Sequence, residues 1–161
     1  MSGATLWRIA TDAPAYVAED LGGKGAEITG GRWNAPGTPM VYAATSIALA
    51  CLETVVHLDG SKSLPLNRYL VRIDVPADVW GRAVTLEADD HVGWDAVPAG
   101  KVSIDWGNTW CAGQSSALAR VPSVVVPEEF NVLVNPRHPD AARLKATKLR
   151  KWTYDPRALG R

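Results

Sequence analysis

Cysteine is scarce: Cys51 and Cys111 are the only two in 161 residues. That is too few for a disulfide scaffold, and neither stands in a CxxC or Cys/His spacing suited to a metal. Neither charge sign is in excess, since Lys+Arg and Asp+Glu each total 17. A global basic field for nucleic acid or an anionic membrane is therefore missing, which argues against a nuclease. No apolar run approaches the roughly 20 residues of a bilayer span, and Met1 to Arg8 lack the basic-then-apolar order of a signal peptide. Gly22 to Gly31 holds five glycines, yet neither G-x-G-x-x-G nor a G-x-x-x-x-G-K-[ST] phosphate loop is present. Gly113-Gln114-Ser115-Ser116-Ala117 misses the G-x-S-x-G elbow at its last place. The three histidines, His57, His91 and His138, lie far apart and read as surface or capping residues. What remains is a cytoplasmic, metal-free single domain over residues 1–161, 47% hydrophobic and able to bury one core.

The residues that are present are unevenly spread. From Arg137 onward eight basic residues face two acidic ones, a surplus of six. This tail reads either as a solvated, salt-bridged surface or as a dock for an anionic ligand or acidic partner. Seven tryptophans against one phenylalanine suit pocket walls as well as cores.

Hydrophobic patterning predicts strands over 6–10, 40–44, 67–75, 117–122, 124–126, 131–135 and 148–154. It predicts helices over 47–58, capped by Thr45 or Ser46, over 104–114 and over 139–146, with a helical turn in 14–21. Residues 22–31 are expected to be loop, and 76–98 irregular with a helical turn. Many short mixed strands with a few helices make an α+β domain.

One constellation carries chemistry. Arg32, Tyr42 and Glu53 are separated by 10 and 11 residues along a strand–turn–strand–helix segment. An Arg beside a glycine-rich stretch forks onto phosphate or carboxylate. A Tyr on a short strand stacks on a flat ring and keeps a hydroxyl. Glu53 falls at the edge of an apolar helical stripe, where a carboxylate is costly unless something uses it. Together they suit cleavage of the nicotinamide–ribose bond of NAD⁺, which passes through an oxocarbenium-like state as glycoside hydrolysis does. The plainer alternative is an Arg–Glu salt bridge beside a core tyrosine.

Six short strings, in order, carry a family likeness. They are Leu6-Trp7-Arg8-Ile9, Gly30-Gly31-Arg32-Trp33-Asn34, Val41-Tyr42-Ala43-Ala44-Thr45-Ser46, Leu52-Glu53-Thr54-Val55-Val56-His57-Leu58, Ser116-Ala117-Leu118-Ala119-Arg120-Val121-Pro122-Ser123 and Asn135-Pro136-Arg137-His138-Pro139. With them the chain resembles the RES domain, the toxin half of RES–Xre toxin–antitoxin systems. The family's Arg, Glu and Ser fall at Arg32, Glu53 and Ser116, with Ser115 and Ser123 as competitors for the serine. The resemblance implies an ADP-ribosyltransferase-like fold and an NAD⁺-consuming enzyme, with NAD⁺ as substrate rather than cofactor. It also implies a cognate Xre-type antitoxin over the active site, and self-association. On this reading Arg32, Tyr42 and Glu53 are catalytic, and Arg32, Tyr42 and Ser116 bind the substrate. Glu53 on a helix departs from the strand-borne E-x-E of many ADP-ribosyltransferases. That favours free NAD⁺ breakdown over transfer to a protein, with a non-catalytic interaction module as a further alternative.

Overall fold

In a computed structural model describing residues 3–58 and 63–160, seven strands form one sheet in the order β4-β5-β6-β2-β1-β3-β7. The strands are β1 Ala4–Thr11, β2 Val41–Ala44, β3 Arg68–Val75, β4 Val84–Thr85, β5 Leu118–Pro122, β6 Phe130–Val134 and β7 Lys145–Lys151. The helices are α1 Lys24–Thr29, α2 Ile47–Val55, α3 Ala77–Gly81 and α4 Lys101–Gly113, with 3-10 turns at Ala88–Asp90, Pro139–Arg143 and Pro156–Leu159. Only the β4–β5 pairing is parallel. The architecture is α+β, as the patterning predicts.

The ladder divides the sheet in two. β1 pairs with β3 along its full length, from Ala4↔Val75 to Thr11↔Arg68, and β2 pairs with β6 from Val41↔Val134 to Ala44↔Asn131. Between these halves β1 and β2 meet at a single rung, Trp7↔Ala44. Away from that rung the two strands splay, and residues of both line one large cavity.

Alternation across the pleat decides what packs where. The face bearing Ile9, Ala44 and Leu70 receives Leu49 and Ala50 of α2, with Tyr154 beside them. Ala119, Val121 and Leu133 receive Trp33, Trp94 and Trp110, the last from α4. The opposite face buries Leu6, Val71, Ile73, Val132 and Val134. Ser46 caps α2 by accepting the Leu49 N–H at 3.1 Å. Tyr154 ties down the far end, donating to Thr54 Oγ1 at 2.8 Å.

Some expectations are corrected. The glycine stretch contains α1, bounded by Gly23 and Gly30 with φ of 72° and 73°, which permits the abrupt turn at each end. Residues 124–126 are not a strand, because the Val125 and Val126 N–H groups bond to Ser123 Oγ at 3.1 Å and so leave the ladder. Residues 14–21 form turns, closed by an Ala13↔Tyr16 bridge, and 139–146 divide into a 3-10 turn and the start of β7. Helix α4 begins at Lys101, three residues before the predicted start.

Much of the basic tail is paired within the fold. Arg143 meets Asp78 and Asp140, Lys148 meets Asp12 and Glu19, and Arg157 meets Asp155. These pairs favour the salt-bridged surface over a ligand dock. Arg161 lies outside the described residues.

Candidate active site

The cavity at the sheet's split measures about 900 Å³ and brings together Arg32, Tyr42 and Glu53. The trio is thus one cluster around a hollow. It is not an Arg–Glu salt bridge, because Arg32 Nη1 donates to the carbonyls of Trp94 at 3.1 Å and Ala96 at 2.7 Å. Burial pulls the Arg32 guanidinium below its ordinary value, while the charges of Glu53, Asp95 and Tyr42 act the other way.

Tyr42 braces the Arg32 turn. Its hydroxyl donates to Asn34 Oδ1 at 2.6 Å and accepts the Trp33 N–H at 2.9 Å. Burial pushes the phenol up, partly offset by the Trp33 hydrogen bond, so the hydroxyl stays protonated at neutral pH. The hydroxyl is therefore committed to the fold, and the ring is what Tyr42 offers the cavity.

Glu53 projects from α2, and two donors converge on one of its oxygens. Ser123 Oγ donates to Oε1 at 2.5 Å and Asn131 Nδ2 donates to the same atom at 2.8 Å. Because Ser123 Oγ already accepts two backbone N–H groups, its single proton points at Glu53. Neither bond engages Oε2, and Glu53 lines the cavity.

The serine expectation changes at this point. Ser116 is buried and away from the cavity: its hydroxyl accepts from Trp110 Nε1 at 3.0 Å and donates to the Leu118 carbonyl at 2.9 Å. Ser115 is exposed and also absent from the lining. Ser123, the other competitor, touches Glu53. The three differ in tertiary contact alone, which no local pattern records.

Two further residues escape the sequence reading. Asn131 reads only as a strand position. Arg8 reads as a polar position of an alternating strand, yet it lines the cavity where β1 leaves β2. Its Nη1 reaches the Tyr42 carbonyl at 3.4 Å, while its Nε is buried without a protein partner among the described residues. Burial pulls its guanidinium down to about 10, with Tyr16 and Asp20 opposing. A guanidinium that lines a hollow is suited to an anionic ligand. The available signal was an arginine flanked on both sides by apolar strand residues.

Among the described residues no group of three or more His, Cys, Asp or Glu is placed to hold a metal ion. Among the same residues no helix is long and apolar enough to cross a membrane. His57 stands exposed at the cavity rim, and His138 caps a 3-10 turn by accepting the Asp140 N–H at 3.0 Å.

Comparison with known proteins places this site in context. The "Prs ADP-ribosylating toxin" of Sphingobium sp. is 61% identical over 156 residues, 96% of each chain. "Toxin Res" of Pseudomonas putida is 40% identical over 141 residues, covering 87% of this chain and 90% of that protein. "Toxin Res" of Yersinia enterocolitica is 36% identical over 144 residues, covering 88% and 92%. Among solved structures the Mycobacterium tuberculosis MbcT–MbcA toxin–antitoxin complex contains a chain with the same fold, at a TM-score of 0.60 and 20% identity, covering 98% of this chain and 87% of that one. The RES domain model matches residues 5–156, and the chain belongs to the RES domain family.

Proposed function

We propose that this protein is a toxin that cleaves the nicotinamide–ribose bond of NAD⁺ and transfers ADP-ribose to a protein. The observation that carries the reading is the cavity itself. Two guanidiniums, an aromatic ring and a carboxylate with one oxygen held by two donors line the same hollow. Arg8 and Arg32 grip the pyrophosphate. The Tyr42 ring packs against the nicotinamide end, and Glu53 Oε2 faces the ribose. As the C–N bond breaks, its electron pair leaves with nicotinamide, which departs neutral and needs no proton. The ribose carbon becomes electron-deficient, and the Glu53 carboxylate stabilises that positive charge. An acceptor nucleophile then attacks the ribose carbon and releases its proton.

The name of the relative at 61% identity supports a protein acceptor. A second reading, release of free ADP-ribose or its phosphate, draws on Glu53 standing in α2 with Leu52 and Thr54 beside it. Radiolabelled NAD⁺ added to a cell lysate with the purified protein decides between them. Label in a discrete protein band is expected. Label found only in free ADP-ribose or ADP-ribose phosphate would replace transfer by breakdown, and intact NAD⁺ would leave an interaction module. Because relatives are named as toxins and the structural neighbour is a toxin–antitoxin complex, a cognate antitoxin is part of the same proposal.

Arg8 gives a separate check. Arg8→Lys retains the charge but loses the planar fork, so the KM for NAD⁺ is expected to rise about tenfold. A KM within twofold of wild type removes Arg8 from the pyrophosphate grip.

A further inference from the structure

The Glu53 carboxylate is held by groups from strand β6 and the loop that follows β5 rather than by its own helix. Ser123 lies just past β5, and Asn131 sits within β6, paired across to Ala44 of β2 on one side and Val121 of β5 on the other. A side chain on a strand laddered at both edges has little freedom to drift. The Asn131 amide is also oriented by chemistry. Only its NH₂ can face a carboxylate oxygen, and it does so at 2.8 Å from Glu53 Oε1. That orientation turns Oδ1 into a buried position with no protein partner among the described residues. An orphaned carbonyl destabilises the fold, so an asparagine chosen for stability alone would not stand there.

We propose that Asn131 is a positioning residue for the reaction. It fixes Glu53 Oε1 so that Oε2 is presented to the ribose, and its own orphaned carbonyl is the cost of that orientation. The inference rests on the reading of Glu53 as the charge-stabilising group and adds the residue that aims it. Ser123 cannot do this alone, because one hydrogen bond leaves the carboxylate free to rotate about it. Two donors from separate segments, the loop after β5 and strand β6, restrict that rotation. The other titratable groups lining the cavity are Arg8, Tyr16, Asp20, Lys24, Arg32, Tyr42 and His57. All seven are left in place by the substitutions below.

The test follows nicotinamide release by wild type, Asn131→Ala and Asn131→Asp across pH. Asn131→Ala is expected to lower kcat about tenfold with KM within about threefold. Its melting temperature is expected to stay near that of wild type, since a lost donor and a removed orphan offset each other. Asn131→Asp keeps the shape but sets a second carboxylate against Glu53. Two such groups share one proton, which restores the donor at acidic pH and is lost as pH rises. Its activity relative to wild type is therefore expected to be greatest near pH 5 and to fall steadily toward pH 8. A purely structural asparagine would give the wild-type pH profile at reduced amplitude, with a lowered melting temperature, and that result overturns the proposal. So does an unchanged kcat in Asn131→Ala. The Glu53 carboxyl carbon, followed by ¹³C NMR through a pH titration, supplies a readout independent of turnover. Its midpoint moves to higher pH in Asn131→Asp when the two groups touch, and an unmoved midpoint contradicts the placement. A wild-type protein that releases no nicotinamide removes the NAD⁺ reading, while the NMR titration still decides where Asn131 acts.

Discussion

Replacing Glu53 by Gln is expected to slow nicotinamide release by roughly 10²–10³, the usual cost of losing one preorganised electrostatic group at a water-poor site. The Gln side chain keeps the shape, and its carbonyl oxygen still accepts from Ser123 and Asn131, which bond to Oε1 at 2.5 and 2.8 Å. What disappears is the negative charge that the proposed reading sets against the ribose. Comparison with Glu53→Ala sharpens the point. Alanine abolishes the same charge and also strands the Asn131 and Ser123 donors, a further penalty of about 1–3 kcal/mol per unsatisfied buried group. Both variants should therefore lose turnover alike, while only alanine lowers the melting temperature. Turnover by Glu53→Gln within threefold of wild type would show that the carboxylate charge is not used.

The second large effect is on stability. Helix α4 crosses Trp33 so closely that a Cβ on Gly107 would lie 1.7 Å from the Trp33 carbonyl oxygen and 2.7 Å from its carbon. Both atoms are backbone, so neither yields by rotation, and the helix or the Arg32–Asn34 turn must move. Trp33 is 2% exposed and packs with Trp94 at 6.3 Å and Trp106 at 5.8 Å between ring centroids. Gly107→Ala should cost about 3 kcal/mol or more, a fall of about 10 °C in Tm for a chain this long. Gly113, in the same helix, has open space at its Cβ position. Gly113→Ala is thus the control, expected within about 0.5 kcal/mol of wild type. Equal melting temperatures for the two alanine variants would refute the close packing of α4 on Trp33.

Some parts of the molecule are openly legible in the sequence. Strand β3 was readable because Tyr69, Val71, Ile73 and Val75 alternate with Arg68, Leu70, Arg72 and Asp74, and α2 because Ser46 precedes an apolar stripe. The Arg32, Tyr42 and Glu53 cluster was readable because all three lie on one short segment whose turns bring them to a common cavity. Contacts that cross the sheet were not. Ser123 and Asn131 lie 70 and 78 residues from Glu53, and no periodicity reports such a meeting. Arg8 escaped notice for a related reason. Alternation assigns it to a solvent face, but the parting of β1 from β2 makes a cavity wall there, and that parting depends on pairing between distant strands. Helix α1 was hidden because glycine content argued for loop, while the glycines that mattered sat at its ends.

The lone Trp7↔Ala44 rung has a mechanical meaning. Each half-sheet has its own complete ladder, whereas their mutual attachment is slender and relies on α2 spanning the gap. On the proposed reading, a ligand gripped by Arg8 on one flank and Arg32 on the other would act as a second rivet across the seam. Filling the cleft and fastening the two flanks together then become one event, and a blocker designed to straddle the seam would rigidify the molecule as it occupies it.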